Sequence, residues 1–135
     1  GITRVASIEE MFSTVDFFSI HMPLTKETHH LINASTLSLM KPSTFFVNTS
    51  RGPLVNQKDL YQALVEKRIA GAALDVLEIE PPEAPFALAG LDNIILTPHA
   101  AFYSDESEIE LRRKAAQEIV RALTGNNPKN WVNKF

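Results

Sequence analysis

The 135-residue chain contains no cysteine. Disulfides, thiolate metal sites and cysteine nucleophiles are therefore excluded, and a reducing compartment is compatible. Glycine is sparse, at 5 residues, and none of them builds the G-x-G-x-x-G turn that lets backbone amides approach a pyrophosphate. No apolar run approaches the roughly 18 residues of a membrane span. The N-terminus also lacks the charged stretch and apolar core of a secretory signal. A soluble, cytoplasmic protein without a membrane partner is expected. The net charge of -3 includes no long basic run, so little in the chain would attract nucleic acid or an anionic membrane. The opening Gly1-Ile2-Thr3-Arg4 has no initiator Met and runs at once into a helix signal, as a chain starting within a domain would.

What is present reads as one compact domain with one core. The hydrophobic fraction of 44% and the charged fraction of 21% are ordinary for a globular protein. Ser7 with Glu10 fits a capping box opening a short helix, and Val15 to Ile20 is an apolar run of β-formers. Leu24 to Asn33 is polar loop, followed by a short helix over Ser35 to Met40 that Lys41-Pro42 stops. A strand over Thr44 to Asn48 leads through Thr49-Ser50-Arg51-Gly52-Pro53 to a helix capped by Asn56, with Leu60, Leu64 and Val65 on one face. Ile69 to Leu77 is small and apolar, like a strand covered on both faces. A Pro- and acid-rich loop follows, then a short strand over Asn93 to Leu96. A long helix runs from a Ser104 cap to Leu123, with Ile109, Ala116, Ile119, Val120 and Leu123 in period, and Gly125 closes it. Strands and helices alternating at this spacing predict an α/β fold, part of a doubly wound parallel sheet with flanking helices. Ligands of such sheets bind outside the C-terminal ends of the strands.

Arg51, Glu80 and His99 fall in the loops after three successive strands, on one rim of that sheet. A His beside a carboxylate exchanges a proton near neutral pH, and an Arg fork grips a planar carboxylate through two donors. Together they suit an α-hydroxy or α-keto acid. Loop Arg, Glu and His are, however, usually solvated surface groups. On spacing alone Asp75 reads equally as a strand-end cap and Ser50 as a turn former. His21 reads equally as a packed histidine, and His29 and His30 most simply as solvent-exposed. No two His have the i, i+4 spacing of a helical metal site, so no metal is expected.

Five segments carry a resemblance when taken in order: His21-Met22-Pro23-Leu24-Thr25, Met40-Lys41-Pro42, Val47-Asn48-Thr49-Ser50-Arg51-Gly52, Gly71-Ala72-Ala73-Leu74-Asp75-Val76 and Leu96-Thr97-Pro98-His99-Ala100-Ala101. This wording, from about Ser7 to Asn133, resembles the D-isomer-specific 2-hydroxyacid dehydrogenases. The resemblance implies a Rossmann-like NAD-binding domain and hydride transfer between NAD(H) and a D-2-hydroxy or 2-keto acid, with NADP left open. It implies that Arg51 binds the substrate carboxylate and polarises the carbonyl, that His99 exchanges the proton, and that Glu80 holds the His ring and favours its charged form. Glu78 competes with Glu80 for that role. Thr49, Ser50, Arg51, Asp75, His99, Ala100 and Ala101 look like contacts to the nicotinamide side of the cofactor, with His21, Met22 and Pro23 lining its cleft. A homodimer is the expected assembly at full length.

The family's glycine-rich turn and its substrate domain have no counterpart in these residues. The chain reads as the C-terminal portion of the NAD-binding domain and, by itself, as a poor enzyme. The Ala100-Ala101-Phe102-Tyr103-Ser104 wording and the Asn130-Trp131-Val132-Asn133-Lys134 ending are closer to the carboxy-terminal binding protein branch than to phosphoglycerate dehydrogenases. An NAD-sensing corepressor-like binding module is therefore the alternative function. A hydrolase using Ser50, Asp75 and His99 is disfavoured, because Ser50 lacks the flanking glycines of a nucleophile elbow.

Overall fold

The structure, a computed structural model, describes residues 1–130. The Trp131-Val132-Asn133-Lys134 wording lies outside the described residues. Two compact units are present, Gly1–Ala101 and a second beginning at Phe102.

In the first unit, helix α1 (Ile8–Thr14) is capped by Ser7, whose hydroxyl accepts from the Glu10 amide. The Glu10 carboxylate reaches back to Ala6 N rather than to Ser7, so the expected capping box is half formed. Strands β1 (Phe17–Ile20), β2 (Phe45–Asn48), β3 (Gly71–Leu74) and β4 (Ile94–Leu96) make one parallel sheet in that spatial order. Helix α2 (Ala34–Ser38) begins one residue before the predicted Ser35, because Asn33 closes a capping box with Thr36. Helix α3 (Gln57–Val65) is capped by Asn56 as expected, but buries Leu60, Ala63 and Leu64 while Val65 is exposed. A 3-10 turn over Gly52–Leu54 precedes α3, and another over Ala87–Gly90 interrupts the predicted loop before β4.

Strand alternation sorts the sheet's faces. Phe18, Ile20, Phe46, Ala72 and Leu74 join Phe12 of α1, Leu37 of α2 and the buried face of α3 in one cluster. Each large side chain fully buried there, such as Phe46, contributes about 1.5–3 kcal/mol relative to exposure. The other face of β1 and β2 is not buried, and Phe17 and Phe45 stack on it with ring centroids 5.5 Å apart. The C-terminal ends of the four strands and the loops that follow them form the rim where polar groups collect.

The second unit is helix α4 (Asp105–Leu123), which opens with a Ser104–Ser107 capping box. Asp105, Glu106 and Glu108 in its first turn and Arg121 in its last complement the helix dipole. Glu108–Arg112 and Glu110–Lys114 pair along it at 3.0 and 2.7 Å. Among the described residues no helix is long and apolar enough to cross a membrane.

Candidate active site

The loop after β2 is shaped by Asn48, which is wholly buried at the strand's end. Its side-chain oxygen accepts from Ser50 N at 3.0 Å and its amide donates to Arg51 O at 2.9 Å. An Asx-type turn of this kind satisfies loop backbone that no strand can pair. The Ser50 hydroxyl donates to Ile20 O at 2.8 Å, tying the loop to the end of β1. Ser50 is thus more than a turn former. Arg51 is exposed, with its guanidinium donating to Ser50 O at 2.6 Å. His21 is exposed too and meets the Ser19 hydroxyl through Nε2 at 2.8 Å. His21, Met22, Pro23, Leu24, Thr49, Ser50 and Arg51 line one cleft of about 690 Å³.

The loop after β4 is pinned from β3. Asp75 is only 5% exposed, and its carboxylate accepts from the Thr97 hydroxyl, from Ala100 N at 2.8 Å and from Ala101 N at 2.9 Å. Burial pushes the Asp75 carboxyl up, but these three donors and nearby His99 outweigh it and hold the group below its ordinary range. Between the pinned residues, His99 adopts a left-handed backbone, with φ of 54°. A non-glycine residue persists there only where its surroundings over-determine it, and Asp75 supplies that restraint. The Ala100 and Ala101 amides are consequently occupied inside the protein.

A depressed carboxyl contributes stability above its unfolded-state value and loses it as the pH falls through the folded value. Asp75→Asn is therefore expected to cost about 1.5–3 kcal/mol near neutrality, the worth of hydrogen bonds to a buried charge. The gap between variant and parent should close as the pH falls below about 4. Urea titrations of both proteins from neutral to acid pH would measure it, and a constant gap would mean that Asp75 is not charged in the folded state.

Glu80 completes the arrangement. Its Oε2 lies 2.8 Å from His99 Nδ1, and its Oε1 accepts from Leu77 N at 2.7 Å. Partial burial pushes its carboxyl up, but the His99 and Leu77 hydrogen bonds prevail and leave it below the ordinary range. The Glu80 carboxylate thus fixes which ring nitrogen of His99 faces it, and with it the ring's orientation. Asp75, Leu77, Glu80, Pro81, Pro82, Thr97, Pro98 and His99 line a second cavity of about 400 Å³. Arg51 does not line it, but the two loops meet, because Gly52 lies directly against the Leu77–Glu78 peptide.

Glu78 faces elsewhere, with its Oε1 2.7 Å from His30 Nε2. The expectation that His30 is solvent-exposed is corrected by that pairing, whereas His29 remains exposed. Asn48, Gly52 and Thr97 were given no role of their own in the sequence. The one local signal available was Asn48, an Asn at a strand end before a Thr-Ser turn.

The first 101 residues match the family model for the D-isomer specific 2-hydroxyacid dehydrogenase, NAD binding domain, the extent of the first compact unit. A glyoxylate reductase of Korarchaeum cryptofilum is 43% identical over 127 residues, which is 94% of this chain and 38% of that protein. The chain thus spans well under half the length of the curated relatives it matches. A D-lactate dehydrogenase from Treponema pallidum superposes with a TM-score of 0.88 at 34% identity, over 96% of this chain and 43% of that one. The NAD-complexed D-isomer specific 2-hydroxyacid dehydrogenase of Lactobacillus delbrueckii gives 0.85 at 30% identity, over 94% and 43%. These relatives are reductases and dehydrogenases and lend the corepressor-like alternative no support. The chain belongs to the D-isomer specific 2-hydroxyacid dehydrogenase NAD binding domain family.

Proposed function

We propose that this chain is the C-terminal portion of the NAD-binding domain of a cytoplasmic, homodimeric oxidoreductase that interconverts a small 2-keto acid and its D-2-hydroxy acid. The observation that carries the reading is the His99 Nδ1–Glu80 contact of 2.8 Å at the rim of the sheet. NAD(H), when bound, supplies or accepts the hydride. In reduction, His99 Nε2 gives its proton to the carbonyl oxygen as the carbonyl carbon becomes the carbinol carbon, and it takes the proton back in oxidation. Glu80 fixes the ring orientation and balances the imidazolium charge. Arg51 grips the substrate carboxylate and draws electron density from the adjacent carbonyl.

The residues present fit the nicotinamide end of the cofactor. Asp75 Oδ1 accepts two hydrogen bonds and Oδ2 one, so a carboxylate with about four acceptor positions retains one for a carboxamide donor. The His21, Met22, Pro23, Thr49 and Ser50 cleft offers the mixed apolar and hydroxyl lining that a planar ring with a polar edge requires. Substrates in the names of two relatives, glyoxylate and D-lactate, support a short side chain on the acid.

The test is reduction of glyoxylate and of longer 2-keto acids by the full-length protein with NADH, and separately with NADPH, in the parent and in Arg51→Lys. Lys is a point charge and cannot reproduce the planar two-donor grip. A rise in KM and a fall in kcat of about tenfold or more are expected, since bidentate charge-assisted pairs are roughly twice as strong as ordinary hydrogen bonds. Parent-like kinetics in Arg51→Lys would remove Arg51 from the substrate.

A further inference from the structure

Glu78 and Glu80 stand two residues apart on one loop and serve two different histidines. Glu78 Oε1 meets His30 Nε2 at 2.7 Å, and its Oε2 accepts from the backbone of Gln57, the first residue of α3, at 3.0 Å. An anion is favoured there, because the first N–H groups of a helix have no partner within it. The Gln57 side-chain oxygen returns a contact to Glu78 N at 3.4 Å. His30 is itself held: its backbone, at φ of 53°, donates to Pro53 O and accepts from the Asn33 side chain, each at 2.9 Å. His29 lies against its ring at 3.8 Å between centroids. The loop after β1, itself held by the α2 cap, and the α3 N-terminus therefore meet on one carboxylate that the proposed chemistry does not use.

The backbone beside that carboxylate carries the active-site geometry. Leu77 N donates to Glu80 Oε1 at 2.7 Å, while Glu80 Oε2 faces His99. The next peptide along, Leu77–Glu78, bears on Gly52, beside Arg51. We infer that Glu78 is a positioning residue: by clamping the Leu77–Glu78 peptide to His30 and α3, it holds the Glu80 carboxylate on His99 Nδ1. The inference rests on the proposed roles of Glu80 and His99. The charged and titratable groups around the clamp are His30, His29 and Asp59 in the first turn of α3; those around Glu80 are His99 and Asp75.

The experiment follows the pH dependence of kcat for 2-keto acid reduction in the full-length protein. Glu80→Gln removes the carboxylate charge 2.8 Å from His99 Nδ1, so its profile should move to lower pH. Glu78→Ala should move it the same way by about half a unit and lower kcat about tenfold, with KM changed less than about twofold because Arg51 is untouched. Glu78→Gln keeps an acceptor for Gln57 and should recover most of the loss. In a Glu80→Gln background, Glu78→Ala should produce no further movement of the profile. A profile unmoved by Glu78→Ala, whatever its melting temperature, overturns the inference, as does an equal movement in both backgrounds. A profile unmoved by Glu80→Gln itself overturns the Glu80 role and the inference together, and so separates the two failures. If Glu78→Ala does not fold, His30→Gln removes one of the two anchors and should move the profile less but in the same direction; no movement overturns the clamp.

Discussion

His99→Gln in the full-length protein should lower turnover in 2-keto acid reduction by at least about a hundredfold, because a positioned general acid contributes a factor of about 10²–10⁴. Glutamine is close to histidine in reach, and its amide retains a donor for the Glu80 carboxylate. The loop itself is held by the Asp75 bonds to Thr97, Ala100 and Ala101, which do not involve the side chain at 99. What the substitution removes is a ring nitrogen that can give up a proton and recover it. Since the proposed mechanism assigns the carboxylate grip to Arg51, KM should change far less than kcat, a loss confined to the transition state. Steady-state NADH oxidation at saturating keto acid measures it. Turnover within about tenfold of the parent would mean that another group, or water, delivers the proton.

The parts of this fold that were legible in the sequence are those with local causes. Ser7, Asn56 and Ser104 mark their helices because a cap side chain bonds to an amide three residues on. The strands were legible as apolar runs, and the parallel arrangement followed from their alternation with helices. That arrangement is also why Arg51, Glu80 and His99 could be grouped on one rim from positions far apart in the chain. The parts that were not legible depend on distant partners. His30 reads as a polar loop residue until Glu78, 48 positions on, is brought to it. Asp75 reads as a strand cap or a ligand contact, and its actual donors lie 22 to 26 positions away. Two acids on one loop could not be told apart by type: the resemblance favoured Glu80 with Glu78 competing, and the pairing distances put Glu80 on His99 and Glu78 on His30. Val65 failed for a different reason: Leu60, Ala63 and Leu64 already complete the buried face of the short α3 helix, and a neighbouring apolar residue in sequence falls on another side of it.

Gly52→Ala should destabilise the protein by about 3 kcal/mol or more, the upper end of what overpacking a filled interior costs. Glycine is required at this position by close approach. A Cβ built on residue 52 would overlap the carbonyl of Leu77 and lie 2.7 Å from Glu78 N. Both obstacles are backbone, so no side chain can turn aside to make room. The alternatives are to retreat at Arg51–Gly52 or at Leu77–Glu78, and each is tied down. Arg51 O is held by the buried Asn48 side chain, and Pro53 O accepts from His30 N. Leu77 N donates to Glu80, Glu78 N donates to the Gln57 side chain, and the Glu78 carboxylate is held by His30 and the Gln57 backbone. Whichever segment yields, Arg51 and the Glu80–His99 pair move apart, and a displacement of about 1 Å in such a site costs on the order of a hundredfold in rate. Two measurements therefore belong together: the urea midpoint of Gly52→Ala, and kcat per folded molecule at a temperature where the variant remains folded. A loss of stability accompanied by parent-like kcat would show that the segment yields without disturbing the site. A parent-like midpoint would mean that Gly52 does not lie against Leu77 in solution, and the coupling between the two loops would fall with it.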